Sequence, residues 1–197
     1  MLYFILLLIF FYASHSWLAS KGVKDFVQKH SASFFRFYRL FFTLISVLLW
    51  SSITWLFIYK HEHNYIFPPQ LELNYLGSAF ALTGLMIIAL SILKYGFADF
   101  TGLNIFTKTE SVDNTTPILN ISGMNAFVRH PIYSGIILAL LGLVLIIPTQ
   151  MTLAGVFISI VYLEVGIRLE EKKLENEFGD SYRKYKLKVK KVIPFLY

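Results

Sequence analysis

Residues 129–171 read RHPIYSGIILALLGLVLIIPTQMTLAGVFISIVYLEVGIRLEE, and this stretch decides the fold. Between Ile132 and Ile167 it carries one charged side chain, Glu164, and one break, Pro148-Thr149-Gln150. At 1.5 Å per residue each half is roughly 25 Å long, close to a bilayer's hydrocarbon core. Two such helices joined by a tight turn return the chain to the membrane face it left. Arg129-His130-Pro131-Ile132-Tyr133 and Arg168-Leu169-Glu170-Glu171 are therefore expected side by side, although some forty positions separate them.

The rest of the chain fits that setting. Of 197 residues, 56% are hydrophobic and only 15% charged, and the apolar residues come in long blocks rather than at amphipathic spacing. The composition predicts an all-α integral membrane protein. Five spans are expected, at Met1 to Ala19, Leu40 to Tyr59, Leu76 to Leu93, Ile132 to Thr149 and Met151 to Ile167, the last two forming a helical hairpin. The first block has no basic region ahead of its apolar run, so it reads as a retained anchor rather than a signal peptide. No repeat or linker divides the chain, and residues 1–197 read as a single membrane domain. Residues 1–128 would supply N-terminal spans and a loop, and residues 129–197 a cofactor-binding hairpin and tail.

Basic residues set the expected orientation. Of 18 Lys and Arg, five lie in residues 20–39, three in 94–131 and nine in 168–197, which leaves Lys60 alone on the opposite side. The positive-inside rule then places the N-terminus outside and both polar clusters in the cytoplasm. The net charge of +6 reads as topology and attraction to anionic lipid, not as nucleic-acid binding. Cysteine is absent, which excludes disulfides, thiolate metal sites and a cysteine nucleophile, and no metal-ligand set is expected. The stretch from Asp99 to Asn125, with Pro117, reads as a cytoplasmic loop with a short interfacial element near Tyr95 to Leu103. After Ile167 the last helix is expected to run on to Gly179, because Arg168 to Phe178 contains no breaker. That extension and the tail would form a cytoplasmic cap.

The clusters carry the chemistry. Proline suits the first position of a helix and disfavours helical conformation before it, so the fourth span should start at Pro131. Arg129 and His130 then stand at a helix mouth, where N–H groups and the helix dipole favour a carboxylate or phosphate. Tyr133 adds a hydroxyl and an aromatic face, and Gly135 allows close backbone approach. On the fifth helix Glu164, Arg168, Glu171 and Glu175 fall on one stripe, able to take the cationic part of a ligand while Arg168 orients the acids. The plainer reading is that such residues are interfacial anchors and helix-supporting pairs. Their juxtaposition by the hairpin favours function.

Several runs resemble a known superfamily. Gly123-Met124-Asn125-Ala126-Phe127-Val128-Arg129-His130-Pro131-Ile132-Tyr133-Ser134-Gly135, then Glu170-Glu171-x-x-Leu174, then Phe178-Gly179-Asp180-x-Tyr182-x-x-Tyr185 and Ile193-Pro194 resemble the isoprenylcysteine carboxyl methyltransferase and phospholipid N-methyltransferase superfamily. His15-Ser16-Trp17-Leu18-Ala19-Ser20, Tyr38-Arg39-Leu40 and Phe97-Ala98-Asp99-Phe100-Thr101-Gly102-Leu103 more weakly resemble its NnrU-like and methanethiol S-methyltransferase branch. The resemblance implies S-adenosylmethionine held at the cytoplasmic end of the last two helices, and a lipophilic or small acceptor arriving through the bilayer. It implies that Arg129, His130, Pro131 and the helix mouth take the carboxylate or adenosine side, that Glu170 or Glu171 takes the cationic side, and that Tyr133, Tyr182 and Tyr185 form walls. Arg168 would support the acids or touch substrate, and Glu171 and His15 are the candidate bases. One departure is Asn125, where the family often has an aromatic residue.

Two other functions remain open on the sequence. An Arg-His-Pro-x-Tyr motif also resembles that of NADPH-dependent membrane sterol reductases, although Ser134-Gly135-Ile136 departs from the residues usual there. A small transporter or structural membrane protein would leave the Glu-rich stripe without work.

Overall fold

The structure is a computed structural model that describes residues 1–59, 64–106 and 119–197. Its helices are α1 (Leu2–Ala19), α2 (Lys21–His30), α3 (Ala32–Phe35), α4 (Tyr38–Tyr59), α5 (Leu71–Tyr95), α6 (Phe97–Thr101), α7 (Pro131–Ile146), α8 (Gln150–Phe178) and α9 (Asp180–Lys188), with 3₁₀ turns at Leu103–Phe106 and Gly123–Ala126. The chain is an all-α integral membrane protein. Large apolar side chains such as Leu48, Trp55, Leu82 and Phe157 point outward along its long helices, as lipid rather than water requires.

The five expected apolar blocks all form helices, four of them of full membrane-spanning length. Among the described residues, four helices, α1, α4, α5 and α8, are long and apolar enough to cross a membrane. α7, the expected fourth span, is a shorter apolar helix of 16 residues, about 24 Å long, that ends at Ile146 rather than Thr149. Its end has a local cause: Pro148 pushes Ile147 out of helical conformation, to φ −127° and ψ 76°, so the residues expected to extend the span form the turn instead. α8 continues well past Ile167 and stops where Gly179 adopts φ 53°, as its sequence implied. Within the expected loop from Asp99 to Asn125, α6 and two 3₁₀ turns are present, while residues 107–118, with Pro117, lie outside the described residues. The basic stretch 20–39 yields a helix that the span pattern did not announce, α2, which buries no residue fully and is capped by the Ser20 hydroxyl.

By contacts the chain divides into two compact units. In the first, Met1–His63 with Tyr95–Val112, α1 and α4 pack antiparallel through Phe4 on Phe57, Phe11 on Trp50 and His15 on Phe42. The Tyr38 hydroxyl donates to the Leu18 carbonyl at 2.6 Å, and Arg39 donates to the Phe100 carbonyl, which fastens α6.

The second unit, Asn64–Lys94 with Asp113–Tyr197, holds the hairpin. α5 lies against α7 without intervening side chains: a Cβ on Gly77 would meet the Gly142 carbonyl oxygen, and one on Gly84 would meet that of Gly135. Glycines seven apart on both helices let two backbones touch, a packing that lipid-embedded helices favour. The α7–α8 turn is braced from outside by Ile66 N–H to the Pro148 carbonyl (2.7 Å) and Gln150 N–H to the Asn64 carbonyl (3.2 Å). The buried Thr149 hydroxyl caps α8 by accepting from Thr152 N–H.

Candidate functional site

The site is built where the start of α7, the outer part of α8 and the C-terminal tail converge. Pro131 opens α7 and is buried, with His130 as the residue before it. The tail then runs alongside: Arg129 N–H donates to the Lys190 carbonyl at 2.8 Å and His130 N–H to the Lys191 carbonyl at 3.1 Å. The Ser134 hydroxyl donates to the Val192 carbonyl at 2.6 Å. Those bonds fix the Arg-His pair in place. They also occupy two of the N–H groups that the sequence reading offered to an anionic ligand.

Glu171 stands at the centre. It continues the buried face of α8 through Leu163 and Ile167, where an apolar residue would otherwise sit. Its Oε1 accepts from Arg129 Nε at 2.7 Å and lies 3.3 Å from His130 Nε2, while Oε2 lies 3.3 Å from Lys186 Nζ. Arg129 also donates to the Val189 carbonyl. Both side chains of the Arg129–Glu171 pair are about nine-tenths buried, so each neutralises the other where water cannot. Lys186 bridges Glu171 to Glu175 at 2.7 Å, and the Glu175 bond holds its ammonium above the ordinary lysine pKa.

Glu170 is different. Its carboxylate is 44% exposed and lies 3.7 Å from His130 Nδ1, with no Lys or Arg among its described ion pairs. The imidazole of His130 thus has a carboxylate on each nitrogen. Burial nevertheless lowers its pKa, against the pull of Glu170 and Glu171, and holds the ring neutral near pH 7. Arg129 and Lys186 then face Glu170, Glu171 and Glu175, so the cluster keeps one uncompensated negative charge, and the carboxylate open to a ligand is Glu170.

The aromatic candidates surround this cluster. The Tyr133 ring lies 5.7 Å from that of His130. Tyr182 is 1% exposed, and among the described residues its hydroxyl has no hydrogen-bond partner. Burial, then the nearby Glu171, raises the pKa of that phenol. Tyr185 donates to the carbonyl of Asn125, so the residue that departs from the family pattern is engaged through its backbone.

Two candidates stand apart. Arg168 is exposed and pairs with Glu164 at 2.8 Å; Glu164 also takes Lys191 and the Tyr197 hydroxyl. The expected acid stripe is therefore already divided among the chain's own cations, and Arg168 orients Glu164 alone. His15 belongs to the first unit. There the Ser46 hydroxyl donates to the Phe42 carbonyl and so accepts from His15 Nδ1 at 3.0 Å, which leaves Nε2 as the ring's basic atom. Lys186 and the tail strap escaped the sequence reading, because nothing in a run of lysines says which one turns inward.

These features define an α-helical membrane protein with a buried Arg-His-Glu cluster at the outer end of a hairpin. The chain belongs to the family described as NnrU protein, whose profile matches residues 3–196. It is also similar to the methanethiol S-methyltransferase 1 of Bradyrhizobium diazoefficiens, at 32% identity over 64% of this chain and 44% of that protein. The methanethiol S-methyltransferase of Crocosphaera subtropica is 30% identical over 60% of this chain and 46% of its own length. The protein-S-isoprenylcysteine O-methyltransferase of Schizosaccharomyces pombe is 30% identical over 65% and 55% respectively. The matched regions thus span about half the length of these relatives. No solved structure matches the chain.

Proposed function

We propose that this chain is a membrane methyltransferase that uses S-adenosylmethionine, with the cofactor's cationic part facing Glu170. The observation that carries the reading is the charge imbalance of the cluster: Glu171 is saturated by Arg129 and Lys186, whereas Glu170 is exposed and is met by the His130 imidazole and the Tyr133 hydroxyl, neither of which cancels its charge. Relatives named as methyltransferases support the reaction class.

The residues fit this cofactor. Its ammonium and sulfonium need a carboxylate, which Glu170 offers. Its carboxylate needs donors, and the first-turn N–H groups of Ile132 and Tyr133 have no intrahelical partner. The unpartnered hydroxyl of Tyr182 is a further polar group in the same cluster. When bound, S-adenosylmethionine supplies a methyl group on a positively charged sulfur.

What the chain itself contributes is binding, orientation and proton handling. Glu171, through Arg129 and His130, holds the helix mouth in one geometry, which matters because methyl transfer depends mainly on near-attack positioning. A carboxylate acceptor needs no base, whereas a thiol must lose its proton. The base that the sequence offers for that proton is His15, which belongs to the first unit. The acceptor class that fits apolar spans is an uncharged, lipophilic thiol or lipid-like molecule arriving through the bilayer. The N-terminus outside and the C-terminus in the cytoplasm complete the proposal.

Transfer of labelled methyl from S-adenosylmethionine, using detergent-purified protein and a long-chain thiol or a water-soluble thiol, tests it. Methylation of the long-chain thiol is expected; turnover of the soluble thiol alone would overturn the acceptor class.

A further inference from the structure

A cleft of about 450 Å³ opens beside α9, away from the Glu171 face of that helix. One of its walls is a single helical stripe: Ser181, Lys184, Tyr185 and Lys188 follow at steps of three, one and three. Leu119, Ile121, Ala126 and Val189 complete the lining. The walls are tied together by the Tyr185 hydroxyl on the Asn125 carbonyl and by the bridge between Val128 and Lys190. An apolar cleft held open by fixed contacts is thus rimmed by two lysines.

Those lysines differ from their neighbours. Lys186 and Lys191 are neutralised by Glu171, Glu175 and Glu164, whereas Lys184 and Lys188 meet no carboxylate among the described residues. Lys188 is accounted for by the helix dipole, since it lies in the last turn of α9. Lys184 lies a turn earlier, and the dipole does not account for it. Uncompensated cations on the rim of an apolar cleft match one chemistry, an anionic head on an apolar chain.

We propose that this cleft binds an anionic phospholipid of the surrounding bilayer, its phosphate between Lys184 and Lys188 and an acyl chain against Leu119, Ile121, Ala126 and Val189. Charge complementarity selects the headgroup, and the membrane that holds the long helices supplies the lipid. The cleft adjoins the Glu171 cluster through Tyr185, whose ring meets that of Tyr182, but the proposal does not rest on the methyltransferase reading.

Native mass spectrometry of the detergent-purified chain titrated with phosphatidylglycerol or phosphatidylcholine of the same acyl chains tests it. Phosphatidylglycerol is expected to bind about tenfold more tightly, with the preference abolished in the Lys184→Gln, Lys188→Gln double variant. Ala126→Trp, which fills the apolar wall, should weaken both lipids. Equal binding of the two lipids, a preference that survives the double variant, or displacement by glycerol phosphate at equal concentration would each overturn the proposal.

Discussion

At the scale of single residues, adjacent glutamates have different roles. Glu171→Gln is expected to cost about 3 kcal/mol of stability, because it leaves the buried Arg129 unpaired, and the loss should be visible as a lowered Tm in detergent. Glu170→Gln should leave Tm nearly unchanged, since its carboxylate is half in water, yet weaken binding of S-adenosylhomocysteine about tenfold, near 1.4 kcal/mol. The opposite pattern would exchange their roles. His130 adds a pH dependence: burial keeps its folded pKa below the ordinary 6.5, so the unfolded chain binds the proton first as pH falls. Its contribution is present above that value and is lost as pH falls from about 6.5 through the folded pKa. The fall in Tm between pH 7.5 and 5.5 should shrink in His130→Gln. The sequence showed that these residues would meet, because a hairpin of two near-equal halves brings its ends together. It did not show that Glu171 rather than Glu170 turns inward, since that depends on the rotation of α8 and on Lys186 arriving from the tail.

At the scale of helices, the close approach of α5 to α7 is the feature most sensitive to substitution. Gly84→Leu drives a side chain into the Gly135 carbonyl and is expected to cost 3 kcal/mol or about that, whereas Gly166→Ala, with open space around it, should be neutral or stabilise α8 slightly. Thermal unfolding of the two variants in one detergent makes the comparison, and equal losses would contradict the packing. The long helices were legible because unbroken apolar blocks have no other stable home. α7 ends at Ile146, short of the expected Thr149, because Pro148 turns the equally apolar Ile147 out of helical conformation. The partnership of α5 with α7 was not legible, since a glycine seven residues from another names no partner.

At the scale of the molecule, the claims are orientation and reaction class. A cysteine placed at Gln70, in this cysteine-free chain, should react with an impermeant reagent applied outside, and one at Asn176 should not; His63, beside Lys60, lies outside the described residues. The reverse labelling would put the Glu170 cluster on the other side of the membrane. His15→Ala is expected to abolish methyl transfer to a thiol while cofactor binding survives, and transfer at the parental rate would remove His15 from the reaction. The central claim is tested most directly by calorimetry of the detergent-purified chain with S-adenosylhomocysteine and, separately, NADPH. The account predicts micromolar binding of S-adenosylhomocysteine and none of NADPH; binding of NADPH alone would contradict it.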